Sequence, residues 1–267
     1  MCIRDRIDMG LIDANWKLSG RDSRAYDWET ANHKHEDLRM AVYAAMIDSM
    51  DQNIGRLMKA IRANKGGDNT LVLFLSDNGG CAEEPGGRSP KIVPRPKEFY
   101  AAVGPSWGWA QNSPFRRYKS WAHEGGIATP CIAWWPGRVP RGGITGEVGH
   151  IIDFMPTFLE LGDGSYPKEF KGNKILPVEG KSLVSVLHGQ TRKGHKQLAW
   201  EWSGNRALRE GKWKVVWDKA DKRWALFDLV ADRTENTDLA VKYPDLAKRL
   251  AADWVAWAKR NGMKPKV

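Results

Sequence analysis

No stretch of this 267-residue chain approaches the ~18 consecutive apolar residues that a membrane-spanning helix needs. Cysteine is scarce: Cys2, Cys81 and Cys131 are too few for a disulfide framework, and no Cys-x-x-Cys pair offers a thiolate zinc site. Basic residues outnumber acidic ones, 42 to 32, yet no basic run exceeds a few residues. The electrostatic footprint of a nucleic-acid module is therefore weak, and a nucleic-acid partner is not expected. Internal repeats and low-complexity tracts are lacking. So is an apolar segment of the kind a signal peptide carries, in the twenty residues after Met1–Arg6.

What is present is ordinary globular composition, 42% hydrophobic and 28% charged. Two values depart from the norm, a net charge of +10 and 14 tryptophans. The charge favours anionic partners. Tryptophan stacks on flat faces, sugar rings included, and also fills cores, and the simpler reading is a Trp-rich core.

Residues 1–35 show neither helical nor strand periodicity. They read as an irregular leading segment, either a surface loop or chain cut from something longer. From about Glu36 to Asn64, Leu38, Val42, Met46, Met50, Ile54, Leu57, Met58 and Ile61 form one apolar stripe at helical spacing, stopped by Gly66-Gly67. Thr70–Leu75 is a continuous apolar run, as in a strand buried on both faces of a parallel sheet. Ser76-Asp77-Asn78-Gly79-Gly80 follows at its C-terminal end, where α/β sheets bind ligands. Residues 81–118 read as a long loop. Ile127–Trp135 reads as a strand, Ile151–Leu161 as a helix and Ser182–Leu187 as a short helix. From Gln197, short apolar runs separated by turns predict an antiparallel meander. Asp245–Arg260 predicts an amphipathic closing helix. The expected division is a leading segment 1–35, a catalytic-domain portion 36–195 and a subdomain 196–267.

Asp77 and Asn78 are adjacent hard oxygen donors on a glycine-flanked turn, suited to Ca²⁺ or Mg²⁺; taken alone, Asp-Asn-Gly is also ordinary turn chemistry. Lys119 lies in Arg116-Arg117-Tyr118-Lys119-Ser120-Trp121-Ala122-His123-Glu124-Gly125-Gly126, a compact point charge for a tetrahedral anion or part of a solvated basic loop.

Taken together, these segments resemble the sulfatase family. The resemblance rests on Asp77-Asn78-Gly79-Gly80, Lys119 with Glu124-Gly125-Gly126, Thr129-Pro130 and Trp135-Pro136-Gly137. Ile152-Asp153-Phe154-Met155-Pro156-Thr157 and Leu226-Phe227-Asp228-Leu229 with Asp232, Glu235 and Asp238-Leu239-Ala240 add to it. It covers residues 36–260. It implies an alkaline-phosphatase-like α/β fold, a mixed sheet flanked by helices, with a small C-terminal antiparallel-sheet and helix subdomain. It further implies sulfate-ester hydrolysis by a formylglycine nucleophile beside Ca²⁺. By the same resemblance Asp77 and Asn78 are metal ligands and Lys119 holds sulfate and steadies the leaving oxygen. Arg116 is a candidate substrate contact, and His123 either donates to sulfate or leaving group or packs. The substrate class is an aryl sulfate or a sulfated carbohydrate, and the family's usual place is the periplasm or outside the cell.

The pattern also departs from the family. Formylglycine arises from Cys or Ser followed by Pro, or a small residue, two positions on and Arg four on. Cys2 has Arg6 but Arg4 where Pro belongs, and Cys81 and Cys131 fail the pattern, with Pro85 and Trp135 where Arg belongs. The early Asp-Asp ligand pair has no counterpart. The expectation is a C-terminal portion of such a protein, inactive alone and weak in binding Ca²⁺. The rival readings are a phosphate or phosphonate monoester hydrolase of the same superfamily and a non-catalytic carbohydrate-binding module.

Overall fold

The computed structural model describes residues 3–84 and 102–264. Met1, Cys2 and the central part of the expected 81–118 loop lie outside the described residues. The chain runs α1 (Ile3–Asp8), α2 (His33–Ala63), β1 (Val72–Leu75), α3 (Gly104–Asn112), α4 (Glu124–Ile127) and β2 (Cys131–Trp134). It continues through α5 (Phe154–Leu161), β3 (Glu169–Phe170), β4 (Asn173–Lys174) and α6 (Val184–Leu187). Then come β5 (Leu198–Trp202), β6 (Asn205–Glu210), β7 (Trp213–Asp218), β8 (Arg223–Asp228) and α7 (Pro244–Arg260). No helix among the described residues is long and apolar enough to cross a membrane.

The chain forms two compact units. One comprises residues 1–60, 75–131 and 197–267; the other comprises 61–74 and 132–196. In the first unit, β5–β8 form an antiparallel meander in sequence order. Alternation along the strands gives the sheet two apolar faces. Leu208, Val215 and Leu226 share one face, where Ala247, Leu250, Trp254 and Ala258 of α7 cover them. Trp254 is a core residue, with Trp213, Trp224 and Trp257 packed around the same cluster. Ala207, Val216 and Phe227 share the opposite face and pack with Ala122 and Leu229. The sheet thus has the closing helix on one side and the 116–126 loop on the other.

The leading segment is more ordered than its sequence suggests. Asp22 is buried, accepts hydrogen bonds from Arg117 Nη1 (2.6 Å) and Tyr118 Oη (3.0 Å), and its neighbour Ser19 bonds the Phe115 carbonyl (3.0 Å). Helix α2 spans the predicted range, but its buried side chains are Glu36 and Arg39, an ion pair at 3.3 Å extended to Glu84 at 3.2 Å. Its apolar stripe is not buried: Leu38, Met46, Met50 and Leu57 are exposed, Leu57 at 57%, and Val42, Ile54, Met58 and Ile61 are half-buried. Strand β1 is likewise not enclosed on both faces: Phe74 is 41% exposed, and β1 pairs with β2 alone among the described residues. Within the predicted long loop, Val103-Gly104-Pro105 starts helix α3, with Pro near its first turn.

In the second unit, Asp153 organises the backbone. It caps the turn before α5 and is wholly buried. Its carboxylate accepts from His195 Nε2 (2.6 Å), Arg192 Nη2 (2.7 Å), Lys181 N (2.8 Å) and His150 N (2.9 Å). Thr157 hydroxyl then binds the Asp153 carbonyl and the Leu183 amide, tying α5 to the start of α6.

Candidate functional site

The turn after β1 and the 116–126 loop lie side by side. Gly79 N donates to Gly126 O (3.1 Å), and Lys119 N donates to Gly80 O (3.1 Å). Close backbone approach requires the glycines here. A Cβ on Gly79 would stand 1.8 Å from Gly125 O, and one on Gly125 would stand 2.2 Å from Arg117 O. Asn112 at the end of α3 completes the junction. Its Oδ1 accepts from Gly80 N (3.0 Å), while its Nδ2 donates to Gly108 O (2.6 Å).

Lys119 sits between two residues in left-handed backbone, Arg117 (φ 66°) and Ser120 (φ 80°), a conformation unfavourable for side chains of this kind. Both are restrained. The Arg117 guanidinium bridges Asp22 (2.6 Å) and Asp218 (2.9 Å), and Asn205 Nδ2 donates to Ser120 O (2.7 Å). Lys119 Nζ is 3.1 Å from Glu83 Oε1, with side-chain exposures of 31% and 51%. Lys119 holds the Glu83 carboxyl below the ordinary glutamate range through that hydrogen bond.

The sequence candidates differ in what their head groups do. Asp77 is exposed and Asn78 half-buried, and the Ser76 hydroxyl donates to the Asn78 carbonyl (2.8 Å). Arg116 is half-buried and spends Nη1 on Glu235 O (3.1 Å). His123 is 2% exposed, its ring 6.3 Å from that of Phe227, and its Nδ1 has no hydrogen-bond partner among the described residues. Burial, aided by the nearby Arg116, Lys214 and Arg117 charges, drives its pKa well below the ordinary value, so the ring is neutral.

Beneath the loop lies a feature that sequence reading missed. Lys214 is 0% exposed and projects from the same sheet face as Val216 and Phe227. Its Nζ is 2.6 Å from Glu124 Oε1 and 2.9 Å from Glu235 Oε1. Glu235 Oε2 accepts from Glu124 N (2.7 Å), and Arg233 pairs with the other Glu124 oxygen. Alternation was the available signal: Trp213-Lys214-Val215-Val216 puts a lysine at an inward position.

As a metal site, the Asp77–Asn78 turn offers hard oxygen donors and no nitrogen or sulfur, a chemistry that fits Ca²⁺. Among the described residues no cluster of three or more His, Cys, Asp or Glu side chains converges on one point. The turn is thus a partial donor set.

Comparisons with known proteins place the chain in a family. The sulfatase family profile matches residues 16–165, and the profile of the N-sulphoglucosamine sulphohydrolase C-terminal region matches residues 115–256. An uncharacterized sulfatase of Schizosaccharomyces pombe, PB10D8.02c, is 30% identical over 96% of this chain and 50% of its own length. The arylsulfatase of Klebsiella aerogenes is 29% identical over 64% of this chain and 40% of its own length. The crystal structure of Ps i-CgsB in complex with k-i-k-neocarrahexaose superposes with a TM-score of 0.61 at 22% identity. It covers 88% of this chain and 49% of that one, which establishes a shared fold. The chain therefore spans half or less of the length of the curated relatives it matches, and it belongs to the sulfatase family.

Proposed function

We propose that this chain contributes the sulfate-holding side, and two of the calcium ligands, of a sulfuric ester hydrolase. The observation that carries the reading is the pair of backbone bonds, Gly79–Gly126 and Lys119–Gly80, which sets the hard-oxygen turn against the lysine turn. Sulfate esters are anions attacked by an oxygen nucleophile, so a cation beside the sulfur oxygens lowers the barrier by absorbing charge.

In this reading Asp77 and Asn78 would hold Ca²⁺, which when bound would supply a Lewis acid beside the nucleophilic oxygen of a formylglycine residue. Lys119 holds one sulfate oxygen as a point charge and steadies the leaving oxygen. For this it exchanges Glu83 for substrate, and Glu83 is exposed enough to swing away at small cost. Of the roles open to His123, its burial against Phe227 favours packing: a neutral ring under the loop rather than a proton donor. Arg116 contributes positive field while anchored on Glu235. None of Cys2, Cys81 or Cys131 stands in the formylglycine pattern, so turnover by this chain alone is not expected.

The substrate is an aryl sulfate or a sulfated carbohydrate. The arylsulfatase relative supports the first, and the N-sulphoglucosamine sulphohydrolase C-terminal profile over residues 115–256 supports the second. Calorimetry with Ca²⁺ present, comparing a sulfated sugar with its desulfated parent, tests the reading. The expected result is weak binding of the sulfated compound only, reduced at least tenfold in Lys119→Ala. Equal binding of both compounds would favour a carbohydrate-binding module and overturn the hydrolase reading.

A further inference from the structure

We propose that Lys214 and Glu235, from the C-terminal subdomain, are positioning residues for the candidate sulfate site, acting through a buried ion cluster that clamps Glu124. The inference rests on the functional reading above and extends it to residues that touch no substrate.

Four charges form the cluster, and they balance: Lys214 and Arg233 against Glu124 and Glu235. Such a cluster adds little net stability over an apolar replacement, because desolvating the ions offsets their attraction. What it fixes is geometry. Glu124 is held at three points, by Lys214 on one oxygen, Arg233 on the other and Glu235 Oε2 on its backbone N–H. Glu235 itself is fully buried and held in left-handed backbone (φ 57°), a conformation that needs surrounding restraint.

Two chains of contact lead from the cluster to the candidate ligands. Glu124 opens the helical turn whose next residues are Gly125 and Gly126. Gly125 N donates to Arg116 O (2.9 Å), and Gly126 O receives Gly79 N, beside Asp77 and Asn78. The second runs through Arg116, whose guanidinium grips the Glu235 carbonyl three residues before Lys119. Removing the cluster's central cation leaves Glu124 and Glu235 repelling each other in a buried site. The Gly125–Gly126 turn then loses its anchor while the α7 face of the sheet is untouched.

The test uses the full chain as Lys214→Met, with Glu235→Gln as the milder variant should Lys214→Met fail to fold. Arg249→Ala, which removes an exposed ion pair with Glu210, is the control. Residue-resolved amide hydrogen exchange should show Gly79 and Lys119 exchanging at least tenfold faster in the cluster variants. The β5–β8 amides should stay protected, and the control should match wild type. Unchanged exchange at Gly79 and Lys119 in a folded variant overturns the proposal. Titration with inorganic sulfate separates the two levels of argument. If Lys119→Ala and Lys214→Met both weaken binding at least fivefold, the clamp acts on the site. If Lys119→Ala weakens it and the cluster variants do not, the clamp is refuted and the functional reading stands. If Lys119→Ala has no effect, the functional reading fails, and the inference built on it fails too.

Discussion

Asp153 is the residue whose loss should be felt most sharply in the second unit. Its carboxylate is inaccessible and accepts four hydrogen bonds, two per oxygen, at 2.6–2.9 Å. Two of the donors are backbone amides, one is a guanidinium and one an imidazole. Asp153→Asn keeps the shape, but it removes the charge and turns an N–H₂ group toward two donors. Hydrogen bonds to a charged group contribute about 1.5–3 kcal/mol each, and breaking a buried pair costs about 3–5 kcal/mol. The expected loss is therefore roughly 3–5 kcal/mol, or a hundred- to a few-thousand-fold increase in local opening at about 1.4 kcal/mol per tenfold. Hydrogen exchange should register it across the amides of residues 150–196, with β5–β8 unaffected. The same residue sets an acid limb. Burial alone would raise its pKa, but the four donors outweigh burial and hold it below the ordinary aspartate value. A depressed carboxyl stabilises the fold fully above the unfolded-state pKa and loses that contribution as pH falls through the folded value. Asp153→Asn should flatten this limb. A loss under about 1 kcal/mol, or an unchanged acid limb, would refute the argument that the four bonds act on an ionised group.

Glu83→Gln removes a competitor for Lys119; an exposed pair contributes about 0.2–1 kcal/mol, so sulfate affinity measured by calorimetry should rise roughly 1.5- to 5-fold. Gly125→Ala places a methyl 2.2 Å from Arg117 O and 2.5 Å from Arg116 O, and overpacking of this kind costs about 1–3 kcal/mol. Thermal unfolding should detect that cost, and sulfate binding should fall with it. His123 should remain neutral in heteronuclear NMR as pH falls through the ordinary histidine range. Because the unfolded chain takes up that proton and the folded one does not, stability should decline as pH drops below the ordinary value.

The C-terminal meander and α7 were legible because both periodicities are complete there: each apolar run meets its partner within 70 residues. The stripe on α2 was equally periodic, yet Leu57 and Met46 are exposed. Periodicity records which face needs cover, not what supplies it. Helix α3 was not legible, since Gly104-Pro105-Ser106-Trp107-Gly108 carries poor helix formers and no stripe. At the site, the two turns could be read from Asp77-Asn78-Gly79-Gly80 and Glu124-Gly125-Gly126 because the glycines mark close backbone approach. The ion cluster joins residues about 90–110 apart in the chain, Lys214 and Glu235 with Glu124, and no local pattern reports such a meeting. The same holds for Asp22 with Arg117 and for Asp153 with Arg192 and His195.

The claim that the Asp77 turn and the Lys119 turn form one anion-binding site is tested most directly by amide chemical shifts during an inorganic sulfate titration with Ca²⁺ present. The account predicts saturable shifts at Gly79, Gly80, Lys119 and Gly126 with a common midpoint, lost in Lys119→Ala. Shifts confined to other residues, or shifts at these four that persist in Lys119→Ala, would contradict it.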